Sequence, residues 1–159
     1  MTILHTDAPS WSFLQLHRRR LADSSSLPYR KDMPPDDQKR ILIIEDDALL
    51  IEEMRAEFAK HNFAVDVSTD GEAGYEKIFS MKPHLVVLDI AIPKMSGVDL
   101  LKKLQDDPWG KTIPVVVLTN MGDSANIAQV MELGGYDYLV KSDWALADLI
   151  EKINRKLGI

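Results

Sequence analysis

Four runs of aliphatic residues, rich in β-branched side chains, each end on a polar residue. Ile41-Leu42-Ile43-Ile44 leads into Glu45-Asp46-Asp47, Leu85-Val86-Val87-Leu88 into Asp89, Val115-Val116-Val117-Leu118 into Thr119, and Tyr138-Leu139-Val140 into Lys141. Such runs lack the polar alternation of a strand with one wet face, so they read as strands covered on both sides. Segments of helical periodicity separate them, which makes a series of β and α units. The predicted elements are strand 40–45, helix 47–60, strand 63–67, helix 71–80, strand 84–89, helix 96–106, strand 113–119, helix 124–133, strand 136–140 and helix 143–157. Five such units with right-handed crossovers form a three-layer α/β/α sandwich around a parallel sheet.

In a parallel sheet the four polar ends fall on one edge, the carboxyl edge, where ligands of such sheets bind. Carboxylates, a hydroxyl and an ammonium gathered there need something in common to hold, and a divalent cation with a phosphoryl group would satisfy all four. The helices are built to cover the sheet: Leu50, Met54 and Phe58 recur at four-residue steps in the first, and Leu146, Leu149, Ile150, Ile153 and Leu157 form one stripe in the last.

At 159 residues, 45% hydrophobic and 28% charged, the chain suits one domain with a full core and a short appendage. It has no cysteine, which excludes disulfides, thiolate metal sites and cysteine nucleophiles and fits a reducing cytoplasm. Its apolar stretches fall well short of the ~20 residues that span a bilayer, and no signal-peptide pattern opens it, so neither membrane nor secretion is expected. Residues 40–159 carry 13 basic and 20 acidic side chains, which argues against a nucleic-acid partner for the folded part.

Residues 1–39 differ in kind, with Pro9, Pro28, Pro34, Pro35, the Ser24-Ser25-Ser26 run and the Arg18-Arg19-Arg20 triplet, and are expected to be a disordered N-terminal extension. The competing reading is a short helix from Ser10 to about Ala22, with Trp11, Phe13 and Leu14 on one face. Met33 is a second candidate start.

Taken singly, each polar end also has an ordinary reading. Glu45-Asp46-Asp47 suits a solvated loop whose last acid caps the next helix, or a metal site with Glu45 and Asp46 as ligands; Asp47 is expected to be the cap in either case. Asp89 closes a wholly aliphatic strand, a costly place for an unpaired carboxylate and a possible one for a nucleophile that forms an acyl phosphate. Lys141 reads as a surface lysine or as a point charge for a carboxylate or phosphate. Thr119 reads as a strand former or a phosphoryl hydrogen-bond donor, and Tyr138 as packing or part of a switch.

Together these segments, with Asp89-Ile-Ala-Ile-Pro-Lys-Met-Ser-Gly97 and the spacings of 43, 30 and 22 residues between Asp46, Asp89, Thr119 and Lys141, resemble the receiver domain of bacterial two-component response regulators over residues 40–159. The resemblance implies a stand-alone, chemotaxis-type receiver with strand order 2-1-3-4-5. Asp89 would be the phospho-acceptor, and Asp46, Asp89 and the Ala91 carbonyl would bind Mg²⁺ with help from Glu45. Lys141 would neutralise the phosphoryl group, Thr119 would sense it, and Tyr138 would be the aromatic rotamer partner. Gly97 fits a turn into the third helix and Pro93 the loop before it.

Two positions depart from the family pattern. Asn120 stands where a small residue is usual, and Ser142 where a cis proline usually follows the lysine. A non-proline cis bond costs about 2.5–4 kcal/mol. A trans Lys141–Ser142 bond is therefore expected, with Lys141 still reaching Asp89 and Ser142 or Asp143 capping the last helix.

The function implied is that of a cytoplasmic signalling module that takes a phosphoryl group from a sensor histidine kinase or a histidine phosphotransfer protein and shows an altered surface to a downstream protein. It is not an enzyme beyond its own phosphorylation and dephosphorylation. The alternatives are a phosphorylation-independent interaction module, which would need none of Glu45, Asp46, Asp89, Thr119 and Lys141, and an aspartyl-phosphate phosphohydrolase, which would want an acid where Ala91 stands.

Overall fold

The computed structural model of the chain describes residues 38–120, 124–134 and 136–159. The expected N-terminal extension up to residue 37, with its candidate helix, lies outside the described residues. From there the order is β1 Arg40–Ile44, α1 Ala48–Lys60, β2 Ala64–Ser68, α2 Gly71–Met81, β3 Leu85–Asp89, α3 Gly97–Asp106, a 3₁₀ turn Gly110–Thr112, β4 Val115–Thr119, α4 Ser124–Leu133, β5 Asp137–Val140 and α5 Leu146–Leu157. The five strands form one parallel sheet in the order β2-β1-β3-β4-β5, so the α/β class and the topology expected from the sequence both hold.

The aliphatic runs feed both faces of the sheet. Leu42, Ile44, Val86, Leu88, Val115 and Val117 pack with Ile78, Leu101, Leu104 and Val130 from α2, α3 and α4. Their neighbours in sequence, Ile41, Ile43, Leu85, Val87, Val116 and Leu118, pack with Met54, Phe58, Leu149, Ile150 and Ile153 from α1 and α5. Successive strand residues point to opposite faces, so a run apolar at every position needs helices on both.

Three local expectations are corrected. In α1 the fully inward set is Ile51, Met54 and Phe58, with Leu50 half-buried at the margin. The 3₁₀ turn and Pro114, which has no N–H to give, hold the start of β4 back to Val115. The last helix begins at Leu146 and not at 143. The Asp143 N–H closes a turn onto the Val140 carbonyl, and Trp144 packs against the Leu139–Leu149 side of the core. Neither Ser142 nor Asp143 caps α5. Ala145 is the cap residue, and its own N–H is taken by the Asp148 carboxylate at 2.7 Å.

The amino edge of the sheet is tied by His84. Its backbone N–H donates to the Arg40 carbonyl at 2.8 Å, and its ring Nδ1 accepts the Arg40 N–H at 3.0 Å, which requires an unprotonated Nδ1. Burial, followed by the positive charges of Lys39 and Arg40, holds the His84 pKa below its ordinary value. Because the unfolded chain then takes up this proton at a higher pH than the folded one, the stabilisation is present above the ordinary histidine range and is lost as pH falls through it towards the lower folded value. We expect His84→Asn, which keeps an acceptor without titrating, to lose less stability than the parent between about pH 7.5 and 5.5 in urea melts. Parallel losses would show that this ring is not linked to folding.

Candidate functional site

Each site residue sits where a strand's hydrogen-bond ladder runs on one step into the carboxyl edge. The Glu45 N–H donates to the Ser68 carbonyl, the Ile90 N–H to that of Leu118, and the Lys141 N–H to that of Thr119, at 3.0, 3.1 and 2.7 Å. Asp89 pairs in register with Leu118, and Thr119 with Val140. The four polar ends are thus fixed by the sheet and not by mobile loops. Asp47 caps α1 as expected, accepting the Leu49 and Leu50 N–H groups at 2.9 and 3.2 Å.

Lys141 is the centre of the arrangement. Its ammonium lies 2.8 Å from Asp89 Oδ2 and 2.7 Å from Glu45 Oε2. The first is a hydrogen bond. The second is an ion pair to a buried carboxylate oxygen. Glu45 is fully buried and Asp89 nearly so, whereas Asp46 is exposed. Glu45 Oε1 accepts the N–H groups of Asp46 and Asp47 at 3.1 and 3.0 Å, and Asp89 Oδ1 accepts that of Ala91 at 3.1 Å.

Burial pushes the Glu45 pKa up, with Lys141 and the Asp47 N–H pulling the other way. Burial also works to lower that of Lys141, but Asp89 and Glu45 outweigh it and the net shift is upward, so the lysine stays charged. No peptide bond among the described residues is cis, so Lys141 reaches Asp89 without the cis geometry of the family pattern.

Oxygen atoms of Glu45, Asp46 and Asp89 lie within 4.8 Å of one another, the only such acidic group among the described residues. Three carboxylates against one ammonium leave an excess of negative charge when all are ionised, and all the donors are hard oxygens. The set therefore fits a divalent cation that prefers oxygen and keeps part of its water shell, with Asp46 on the open side.

The loop after Asp89 is built around two glycines. Gly97 donates its N–H to the Ile90 carbonyl at 2.9 Å, and a Cβ there would sit 2.5 Å from the Asp89 carbonyl oxygen. The sequence suggested a turn at Gly97; its role is close approach beneath the end of β3. Gly71, not singled out beforehand, donates to the Pro93 carbonyl at 3.1 Å. The only sequence signal for it was its place between the cap Asp70 and an apolar helix.

Thr119 is fully buried, its hydroxyl 3.3 Å from the Asn120 carbonyl. Tyr138, paired with Val117, is 40% exposed and lines a groove of about 470 Å³ with Val140, Trp144 and Lys152. The structure thus brings Glu45, Asp46, Asp89, Ala91 and Lys141 together, with Thr119 one residue beyond the strand partner of Asp89 and Tyr138 outward on β5.

Residues 41–154 match the family described as the response regulator receiver domain, and the chain belongs to it. CrdR of Helicobacter pylori, a transcriptional regulatory protein, is 34% identical over 119 residues, 74% of this chain and 54% of CrdR. CseB of Streptomyces coelicolor, also a transcriptional regulatory protein, is 31% identical over 105 residues, 66% of this chain and 44% of CseB. The chain spans about half the length of these relatives. Among solved structures, a CheY-like response regulator receiver domain protein from Methanospirillum hungatei superposes with a TM-score of 0.69 at 26% identity, over 76% of this chain and 94% of that one. The chain is therefore a receiver domain of the two-component type, a signalling module, and no described helix is long and apolar enough to cross a membrane.

Removing Lys141 strands two buried carboxylates. We expect Lys141→Met to cost about 3 kcal/mol in metal-free buffer, with Glu45→Gln in the same chain restoring part of it. Unchanged melting in EDTA would mean that the lysine does not hold the pair.

Proposed function

We propose that Asp89 is the phospho-acceptor of a two-component relay, that Mg²⁺ is the cation of the Glu45–Asp46–Asp89 cluster, and that the donor is a phosphohistidine on a sensor histidine kinase or histidine phosphotransfer protein. The observation that carries this reading is the Lys141 ammonium held 2.8 Å from a nearly buried Asp89 carboxylate beside an exposed acid. In the transfer a carboxylate oxygen of Asp89 forms a bond to phosphorus as the phosphorus–nitrogen bond of the donor breaks, and the electron pair leaves with the imidazole. Such a transfer needs positioning and charge neutralisation more than covalent chemistry. Lys141 meets the developing charge, the Ala91 N–H orients the Asp89 carboxylate, and Asp46 and Glu45 hold the metal side. Mg²⁺, when held by Glu45, Asp46 and Asp89, would supply Lewis-acid neutralisation of the negative charge that gathers in the transfer.

On this reading the chain turns over nothing but its own acyl phosphate. It acts in the cytoplasm through a change of protein-binding surface. The excess of acidic over basic side chains in residues 40–159 supports protein partners for this part over nucleic acid. CrdR and CseB are named as transcriptional regulators, and the chain spans only 54% and 44% of their lengths, so the reading concerns the receiver alone. Thr119, buried beside the acceptor strand, and Tyr138, outward on β5, are the proposed relay from the site to α4, β5 and α5.

With acetyl phosphate and Mg²⁺ the intact mass should rise by one phosphoryl group, and EDTA or Asp89→Asn should abolish the gain. A gain that survives Asp89→Asn excludes the site. Beryllofluoride should shift amide signals on α4, β5 and α5 as well as around Asp89. Shifts confined to the surroundings of Asp89 would end the Thr119–Tyr138 route.

A further inference from the structure

The loop that follows the acceptor, residues 90–96, is held at its base by the Gly97 N–H to the Ile90 carbonyl, but its tip leans on a different element. Asp70 lies at the amino end of α2 with both carboxylate oxygens engaged: Oδ1 accepts the Ala73 N–H at 2.8 Å and caps the helix, and Oδ2 takes the Lys94 ammonium at 3.0 Å. Next to it the Gly71 N–H donates to the Pro93 carbonyl, and a Cβ on Gly71 would overlap the Met95 carbonyl. Lys94 itself has φ +66°, a left-handed conformation that an L-residue with a side chain adopts reluctantly. Three consecutive loop residues are thus fixed from α2 by a hydrogen bond, an ion pair and a steric fit that only glycine permits.

We propose that the amino end of α2 is a positioning clamp for the acceptor loop, with Asp70, Gly71 and Lys94 as positioning residues that set Ala91 and Asp89 for metal and phosphoryl group without touching the reacting atoms. The inference rests on the reading of Asp89 as acceptor. An exposed ion pair contributes little to stability, and a helix cap needs only one of the two Asp70 oxygens. The second oxygen selects the left-handed state of Lys94, and that state turns the chain back over α2. Misplacement of a loop by a fraction of an ångström slows a reaction that depends on alignment.

Three variants separate positioning from folding. Asp70→Asn keeps the cap and loses the charge; it should stay folded, slow phosphorylation by acetyl phosphate about three- to tenfold and weaken Mg²⁺ binding by a similar factor. Gly71→Ala should do at least as much through the Met95 carbonyl. Adding Lys94→Gly to Asp70→Asn should bring the rate back towards the parent, because glycine takes a positive φ without an ion pair to hold it. Lys60→Ala, which removes the exposed Glu57–Lys60 pair at the far end of α1, should change nothing.

A readout independent of phosphorylation is amide exchange in metal-free protein, where Gly71 and Ala91 should exchange faster in Asp70→Asn and recover with Lys94→Gly. Rates and Mg²⁺ affinity within twofold of the parent in Asp70→Asn and Gly71→Ala, or exchange unmoved by either, would overturn the clamp. If the parent gains no phosphoryl group but the exchange pattern follows the clamp, the acceptor reading fails and the clamp stands.

Discussion

The Lys141 ammonium, held between two carboxylates at the end of the sheet, is the interaction on which the rest of this molecule turns. Glu45 and Asp89 are withdrawn from water almost completely, and a carboxylate in that setting is tolerable only with a cation and hydrogen-bond donors at hand. Lys141 supplies the cation, while backbone N–H groups of Asp46, Asp47 and Ala91 supply the donors. Nothing in β1, β3 or β5 alone produces this meeting. It follows from the strand order, which puts β1 beside β3 and closes the sheet with β5, so that residues 43 and 52 positions apart in the chain, Asp46 with Asp89 and Asp89 with Lys141, come to one edge.

That geometry explains why the loops at this edge are so tightly built. A charge balance among four groups is sensitive to small displacements, and loops left to solvent would not hold it. The close approach of Gly97 beneath the Asp89 carbonyl and the contact of Gly71 with Pro93 remove side chains where side chains would push the loop after Asp89 away. Elsewhere the sheet edge is ordinary: Asp47 and Ser96 each cap the helix that follows, which costs nothing in alignment and satisfies orphan N–H groups.

Most of the architecture was legible in the sequence because aliphatic runs without polar alternation admit few other readings, and the polar residue ending each run marked the functional edge. What escaped was set by contacts distant in sequence. Leu50 and Ile51 are equally apolar, and only the angle at which α1 meets the sheet buries the second. Ser142 and Asp143 are good cap residues by type, but Trp144 has to reach the core before α5 can start, so the chain turns first. Glu45 looked like one of three similar acids, and its complete burial depends on a lysine 96 residues later. His84 gave no signal at all, since its role is a single hydrogen bond across the amino edge. Gly71 was one glycine among eight, and its constraint lies in a loop two elements away.

With three carboxylates around one ammonium, this edge already carries an excess of negative charge, and this bears on how such a module would switch. Replacing the Asp89 carboxylate by an acyl phosphate would raise the negative charge at the edge by about one unit. Lys141 has its proton held firmly by two carboxylates, so it cannot respond by changing its charge and can only redistribute its contacts. Glu45 is pinned by two backbone N–H groups and enclosed on every side. On the reading proposed here, the buried hydroxyl of Thr119, on the strand next to β3, would turn towards new phosphoryl oxygens, because a neutral donor that moves leaves no charge stranded. Its backbone carbonyl already carries the Lys141 N–H, and its strand pairs with β5, where Tyr138 stands half in water. On the reading proposed here, the response to phosphorylation leaves the rigid β1–β3 side in place and is expressed along β4 and β5.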